Sequence, residues 1–426
     1  MRHTVEEVKL KSGAKGLLID VPEATVMSFQ FNFRAGSRLT RDKEIYETAH
    51  IMEHMAFGAN ERFRDEHAFE AEFTRNGAYH NAVTSDYSLE YIASCADFEW
   101  DRILDLQQVS ITSPRFKQEE LEAEKGNVKS ELTGYLSNYN RILWPRIQQL
   151  LGENVLTYPQ RLKTIQNVSL RDIREHHQRT HTADNLRFVV AGKLHGRKSQ
   201  LKRMLEEWDL PRGERFKMHV DEHPKIVKPT LIPRKEAPNL TFGISMVLPR
   251  PMSDAEVTSM GCLNHLLTGT MYSRIYGAAR KKGLAYGIWS DASSLETDST
   301  WEIGGEMNID TAEAVFDIIV RELKAVLAGK LTEKEVEAAK QYALGRYQMG
   351  AQTPGQIAGF YSGRYFFDGV VNDYEKLPAR IAAIKRENLA KLAQEFVDNQ
   401  TWVLAGVANT DRELLDRLHD KIAPVF

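Results

Sequence analysis

Five consecutive residues, His50-Ile51-Met52-Glu53-His54, have the types and spacing of a hydrolytic metal centre. On a helix, residues four apart project from one face, so the two imidazoles can converge on a single ion. Glu53 then falls on the side where that ion's open position lies. A catalytic zinc takes three protein ligands and one water, and a nearby carboxylate can accept the water's proton. The pattern is the inverted zinc-protease signature, H-x-x-E-H. The same five residues also fit an ordinary polar helix face with Glu53 as a solvated carboxylate. A third ligand from elsewhere in the chain separates the two readings.

The elements around the motif decide how it is held. Phe29, Phe31 and Phe33 alternate with Gln30 and Asn32, which predicts a half-buried strand over residues 24–33. A helix over 45–57 carries the histidines. Asp65 caps the next helix, which runs to 76 and stops at Gly77. Residues 80–94 read as strand, and helices follow at 97–110, 117–136, 143–151 and 169–179, then a short buried strand at 186–191. The helix over 117–136 contains Glu119, Glu120, Glu122, Glu124 and Glu131. Most of these belong to a solvated face. Glu124 and Glu131 lie two helical turns apart and share a face with Val128, so one can bind metal while the other holds the ligand set in place. Spacing does not say which.

At 426 residues the chain fits two or more domains. With 42% hydrophobic and 27% charged residues it reads as a soluble globular protein, and a net charge of −3 offers no basic face for nucleic acid. Two distant cysteines, Cys95 and Cys262, exclude a disulfide framework and suggest a reducing compartment. The first 13 residues lack the apolar core of a signal peptide, and no run is long enough to cross a membrane. The expected location is the cytoplasm.

Residues 210–235 are rich in proline and charge and read as a linker between an N-terminal domain, 1–209, and a C-terminal one, 236–426. The second half repeats the first. Phe242, Ile244, Met246 and Leu248 alternate as the phenylalanines do, and Phe188-Val189-Val190-Ala191-Gly192 is echoed 214 residues later by Trp402-Val403-Leu404-Ala405-Gly406. The same offset carries His50, Glu53 and His54 onto Asn264, Leu267 and Thr268, so metal ligands are expected in the first half alone. His265, beside Asn264, is expected to be an ordinary side chain. The fold class is α+β: two similar halves, each an antiparallel or mixed sheet packed with helices.

The chain resembles the pitrilysin-type (inverzincin, M16) metallopeptidases, a family that includes the mitochondrial processing peptidases, and matches the shorter bacterial type. The resemblance rests on His50-Ile-Met-Glu53-His54-Met-Ala-Phe57, on Gly77 followed by Asn81-Ala82-Val83-Thr84 and Tyr91, and on Glu124-Lys-Gly-Asn-Val-Lys-Ser-Glu131. It implies one zinc per chain, held by His50, His54 and Glu131, with Glu53 as general base and Glu124 as the supporting carboxylate. It implies that Asn81 and Ala82 lie on an edge strand that pairs with a peptide substrate near Phe57. It further implies a closing chamber in which an arginine and a tyrosine from a second half, or from a partner in a homodimer or heterodimer, reach the substrate carbonyl. Tyr286 stands in the expected Gly-Leu-x-Tyr, but position 279, seven residues earlier, is alanine. Three possibilities remain there: Arg280 substitutes, the contact is weakened, or a partner chain provides the pair.

Overall fold

The computed structural model of the chain describes every residue except Ile226, which falls in the expected linker. Among the described residues, eleven strands form two sheets. In the first, β1 (Thr4–Lys9), β2 (Lys15–Asp20), β3 (Val26–Phe33), β4 (Tyr79–Thr84), β5 (Leu89–Ala96) and β6 (Leu186–Gly192) take the order β1-β2-β6-β3-β5-β4. In the second, β7 (Thr230–Pro233), β8 (Asn239–Leu248), β9 (Ala285–Ser294), β10 (Ser299–Asn308) and β11 (Trp402–Ala408) take the order β7-β11-β8-β10-β9. The repeat is topological. From β2 and from β7 onward, each sheet runs one parallel pair and then three antiparallel pairs, with a hairpin at the end. Only β1 has no counterpart.

The chain forms two compact units whose segments interleave. The first comprises residues 1–134, 159–218 and 349–374; the second comprises 135–158, 219–348 and 375–426. Each unit therefore takes a helix from the other half of the sequence. Contacts alone thus divide the chain differently from a cut through residues 210–235. That stretch, expected to be linker throughout, also contains β7, which pairs in parallel with β11.

The helix Pro354–Asp368 belongs to the first unit and lies on β3 and β6. Its start is set by Thr353, whose hydroxyl accepts the Gln356 amide, and by Pro354 in the first turn. Its far end stops at Gly369 with φ +67°. Tyr361 pairs with His3 at 3.0 Å and Tyr365 donates to Glu7 at 3.1 Å. This cover corrects the expectation for β3. The phenylalanine face is fully buried, but Ser28 and Asn32 on the opposite face are buried too, so the strand is covered on both sides. In the second unit the helix Tyr139–Leu150 does the same for β8 and β11. Ile142, Leu143 and Ile147 pack on Val247, Val403, Ala405 and Val407. The approach is close: a Cβ at Gly243 would stand 2.6 Å from Ile147 Cδ1 and 3.1 Å from the Trp144 ring, so those side chains would have to shift to admit one.

Further departures are local. The helix expected from residue 143 begins at Tyr139, capped by Asn138. Residues 80–94 are a hairpin, turning at Ser85 to Ser88, and not one strand. Strands β1 and β2 carry no clear sequence signal. No helix of the described residues is long and apolar enough to cross a membrane.

Candidate metal centre

The histidine helix runs from Thr48 to Ala56 and starts where the Thr48 hydroxyl donates to the Ile45 carbonyl at 2.7 Å. Ile51, Met52 and Met55 are buried on its inner side, which fixes the rotation of the helix and brings His50 and His54 onto a common face. Their ring centroids are 5.0 Å apart with planes at 84°. The helix Gln118–Tyr135 buries Leu121, Val128 and Leu132, and that seating presents Glu124 and Glu131 to the histidines.

Each imidazole has one nitrogen held by a carboxylate. His50 Nδ1 lies 3.1 Å from Glu47 Oε2, and His54 Nδ1 lies 2.9 Å from Glu124 Oε2. A carboxylate only accepts, so each Nδ1 carries a proton and each Nε2 is the ring nitrogen turned toward the ligand position. These Nε2 atoms stand 3.4 and 3.7 Å from Glu131 Oε2. A tetrahedral site with bonds near 2.0–2.1 Å has an edge of about 3.3 Å, so the donor set is spaced for zinc. His50, His54 and Glu131, with ligand atoms within 4.8 Å of one another, form the one such group among the described residues. Two imidazole nitrogens and one carboxylate, each imidazole oriented from behind, fit zinc by donor chemistry as well.

The electrostatics favour a cation. Burial opposes charge on His50, but hydrogen bonds to Glu131 and Glu47 and the charges of Glu47 and Glu53 raise its pKa to about 9. Burial pushes the Glu47 pKa up, but His50 and Arg161 outweigh it and hold the group below its usual range. Arg161 donates to both Glu47 oxygens, at 2.6 and 2.9 Å. The hydrogen bond from His54 lowers the Glu124 pKa against partial burial. A divalent ion would replace the protons that this carboxylate shell now attracts.

Glu47 and Arg161 were not singled out in the sequence. Glu47 had a signal, being three residues before His50 and so on the same helical face. Arg161 had none.

Glu53, His54, Phe57 and Asn81 line one cleft of about 610 Å³ with Glu124. Strand β4 is the outer strand of its sheet, so the unpaired edge of its backbone is available. Asn81 is exposed on β4 and Ala82 is buried toward the helices.

Arg280 and Tyr286 lie in the second unit. Tyr286 is 81% exposed on the edge strand β9, and the Arg280 guanidinium sits 4.8 Å from the centre of its ring. Both line a cleft of about 570 Å³. Ala279 is fully buried on the helix Tyr276–Lys281, so a long cation at 279 would face the core, and at 280 it reaches the tyrosine. Asn264 accepts from Trp301 Nε1 at 2.9 Å, and His265 stacks on Tyr342 with ring centres 3.6 Å apart. No metal cluster forms there among the described residues.

A family model described as "Insulinase (Peptidase family M16)" matches residues 17–154, and one described as "Peptidase M16 inactive domain" matches 167–342. The mitochondrial-processing peptidase beta subunit of Caenorhabditis elegans is 27% identical over 161 residues, 37% of this chain and 35% of that one. An insulin-degrading enzyme homolog of Dictyostelium discoideum is 24% identical over 193 residues, 44% of this chain and 20% of its own length. The match thus spans about a third and a fifth of these two relatives. An uncharacterized zinc protease of Streptomyces coelicolor is 21% identical over 437 residues, 99% of this chain and 93% of the relative. Among solved structures, a protease from Helicobacter pylori superposes with a TM-score of 0.82 at 18% identity, over 95% of this chain and 100% of that one. A peptidase M16 inactive domain from Pseudomonas fluorescens gives 0.82 at 17%, over 96% and 98%. At these identities the structural likeness is one of fold.

Proposed function

Because the chain belongs to the M16 peptidase family, we propose that it is a zinc-dependent endopeptidase acting on extended, unstructured peptides. The observation that carries this reading is the convergence of His50 Nε2, His54 Nε2 and Glu131 Oε2, with each histidine held from behind by a carboxylate. Bound zinc would supply Lewis acidity toward the scissile carbonyl and lower the pKa of the attacking water. Glu53, one residue before His54 and lining the same cleft, takes that water's proton and delivers it to the leaving amine. The substrate adds as a strand to the open edge of β4, where main-chain hydrogen bonds give affinity that depends little on side chains. Arg280 and Tyr286, paired with each other, are the groups assigned to the oxyanion.

The working unit is proposed as a dimer. A second reading, a zinc-bearing subunit that acts only with a related partner, draws support from relatives named as beta subunits of a processing peptidase. The test is metal analysis with peptide cleavage. The purified chain is expected to hold one zinc per chain, to cleave an unstructured peptide, to lose activity to a chelator and regain it with added zinc, whereas His54→Ala binds no metal. A wild-type chain that is folded and active without bound metal would defeat the assignment.

A further inference from the structure

The two histidines are supported in different ways. The carboxylate behind His54, Glu124, stands on the helix Gln118–Tyr135 together with Glu131, so one rigid element sets both. The carboxylate behind His50 has no such footing. Glu47 is the residue just before the histidine helix, with φ −78° and ψ 3°, outside the helical repeat that places His50, Glu53 and His54. An oxygen-bearing side chain at that position commonly accepts a backbone amide of the first turn. The Glu47 carboxylate makes no such bond, and it is fully buried.

What orients it is Arg161. The guanidinium donates from Nε to Oε1 at 2.6 Å and from Nη2 to Oε2 at 2.9 Å, and the same Oε2 accepts from His50 Nδ1 at 3.1 Å. Two parallel bonds fix the plane of a carboxylate as well as its position. The His50 N–H is aimed at one oxygen of that plane, so the fork also fixes the rotation of the imidazole and the direction in which Nε2 points. Arg161 is in turn placed locally. It lies on the helix Tyr158–Thr164, where the Thr164 hydroxyl donates to the Arg161 carbonyl at 2.9 Å. Farther on, Asn167 Nδ2 donates to the Glu44 carbonyl at 3.0 Å. The stretch 161–167 is thus laced to 44–47 at two points. Asn167 secures the stretch, and Arg161 carries the restraint to a metal ligand.

We propose that Arg161 is a positioning residue for the metal centre: acting through Glu47, it fixes the His50 ring, and the zinc affinity and coordination geometry of the site depend on it. The proposal rests on the zinc reading above. It assigns a role in metal binding to a residue that touches neither the ligand atoms nor the substrate cleft.

The test compares the full-length wild type with Arg161→Lys, Arg161→Met and Asn167→Ala. Lysine keeps the charge but replaces the fork by a single point, and it carries the test if the methionine variant does not fold. Zinc affinity is read by competition with a chromophoric chelator, coordination geometry by the visible absorption of the cobalt(II)-loaded chain, and stability by urea unfolding without metal. Arg161→Lys should bind zinc about 10- to 100-fold more weakly and alter the cobalt bands. Asn167→Ala, which loosens the same stretch away from Glu47, should lower stability and keep the zinc affinity and cobalt spectrum of the wild type. Because Arg161 acts through Glu47, Arg161→Lys should weaken zinc little further in a Glu47→Gln background. A folded Arg161→Lys chain with the affinity and spectrum of the wild type would overturn the proposal. So would additive losses with Glu47→Gln, or an equal loss of zinc affinity in Asn167→Ala, which would reduce Arg161 to a structural role. A folded wild type that takes up no zinc would overturn the zinc reading and this proposal with it. A wild type that binds zinc but cleaves no peptide, beside an Arg161→Lys chain that binds zinc more weakly, would keep this proposal and overturn the peptidase reading.

Discussion

Behind each histidine stands a carboxylate, and the two differ in what else depends on them. Glu124 is partly exposed and joins His54 and Asn127. Replacing it with glutamine should weaken zinc binding about 10- to 100-fold with little loss of stability. Competition with a chromophoric chelator and a urea titration check the two halves of that statement. Glu47 is fully buried between His50 and Arg161. Glu47→Ala should cost zinc affinity and also about 3–5 kcal/mol of stability, because it removes the fully buried carboxylate that bonds both His50 and Arg161; the same two assays apply. His50, Glu53 and His54 were legible in the sequence because helical periodicity sets them on one short stretch of helix, as was the pair Glu124 and Glu131, though only the family resemblance chose Glu131 as the expected third ligand. Arg161 was not, because it reaches Glu47 from 114 residues away and a long-range ion pair leaves no local trace.

Elements show the same division between local and distant causes. The capped start at Asp65, whose side chain accepts from Ala68, and the stop at Gly77 with φ +86° follow from short-range chemistry, and both were readable. The burial of both faces of β3 was not, since the helix covering its polar side comes from residues 354–368. The helix Leu170–Thr180 supports a pH prediction. Burial holds the pKa of His176 and His177 down at about 4, and each donates to a backbone carbonyl, of Ala35 and Ile111. Below pH 6.5 the unfolded chain takes up protons that the folded chain refuses until pH 4, so stability falls as pH drops through that window. Each histidine contributes up to about 3 kcal/mol to the loss. Urea unfolding at pH 7, 6, 5 and 4 should show the decline, and His177→Gln should flatten it.

At the scale of the whole molecule, the duplication was visible in strand patterns and in the repeated Val-Ala-Gly and Leu-Ala-Gly segments, but the exchange of helices was not. Nothing in the composition of Tyr139–Leu150 says which sheet it will cover. The consequence is testable by cutting the chain. A fragment of residues 236–426 lacks the helix that covers Val247, Val403, Ala405 and Val407, and a fragment of residues 1–209 lacks Pro354–Asp368. Neither should fold cooperatively alone, as read by near-UV circular dichroism and protease resistance, whereas co-expression should restore both signals. The function proposed for the intact chain turns on Glu53. The measurement that tests it most directly is hydrolysis of an unstructured fluorogenic peptide by the purified, zinc-loaded chain beside Glu53→Gln at equal zinc content. Loss of a general base predicts a fall of about 10²- to 10⁴-fold in kcat with zinc retained. Full activity in the glutamine variant with zinc still bound would contradict the assignment of Glu53 as the base.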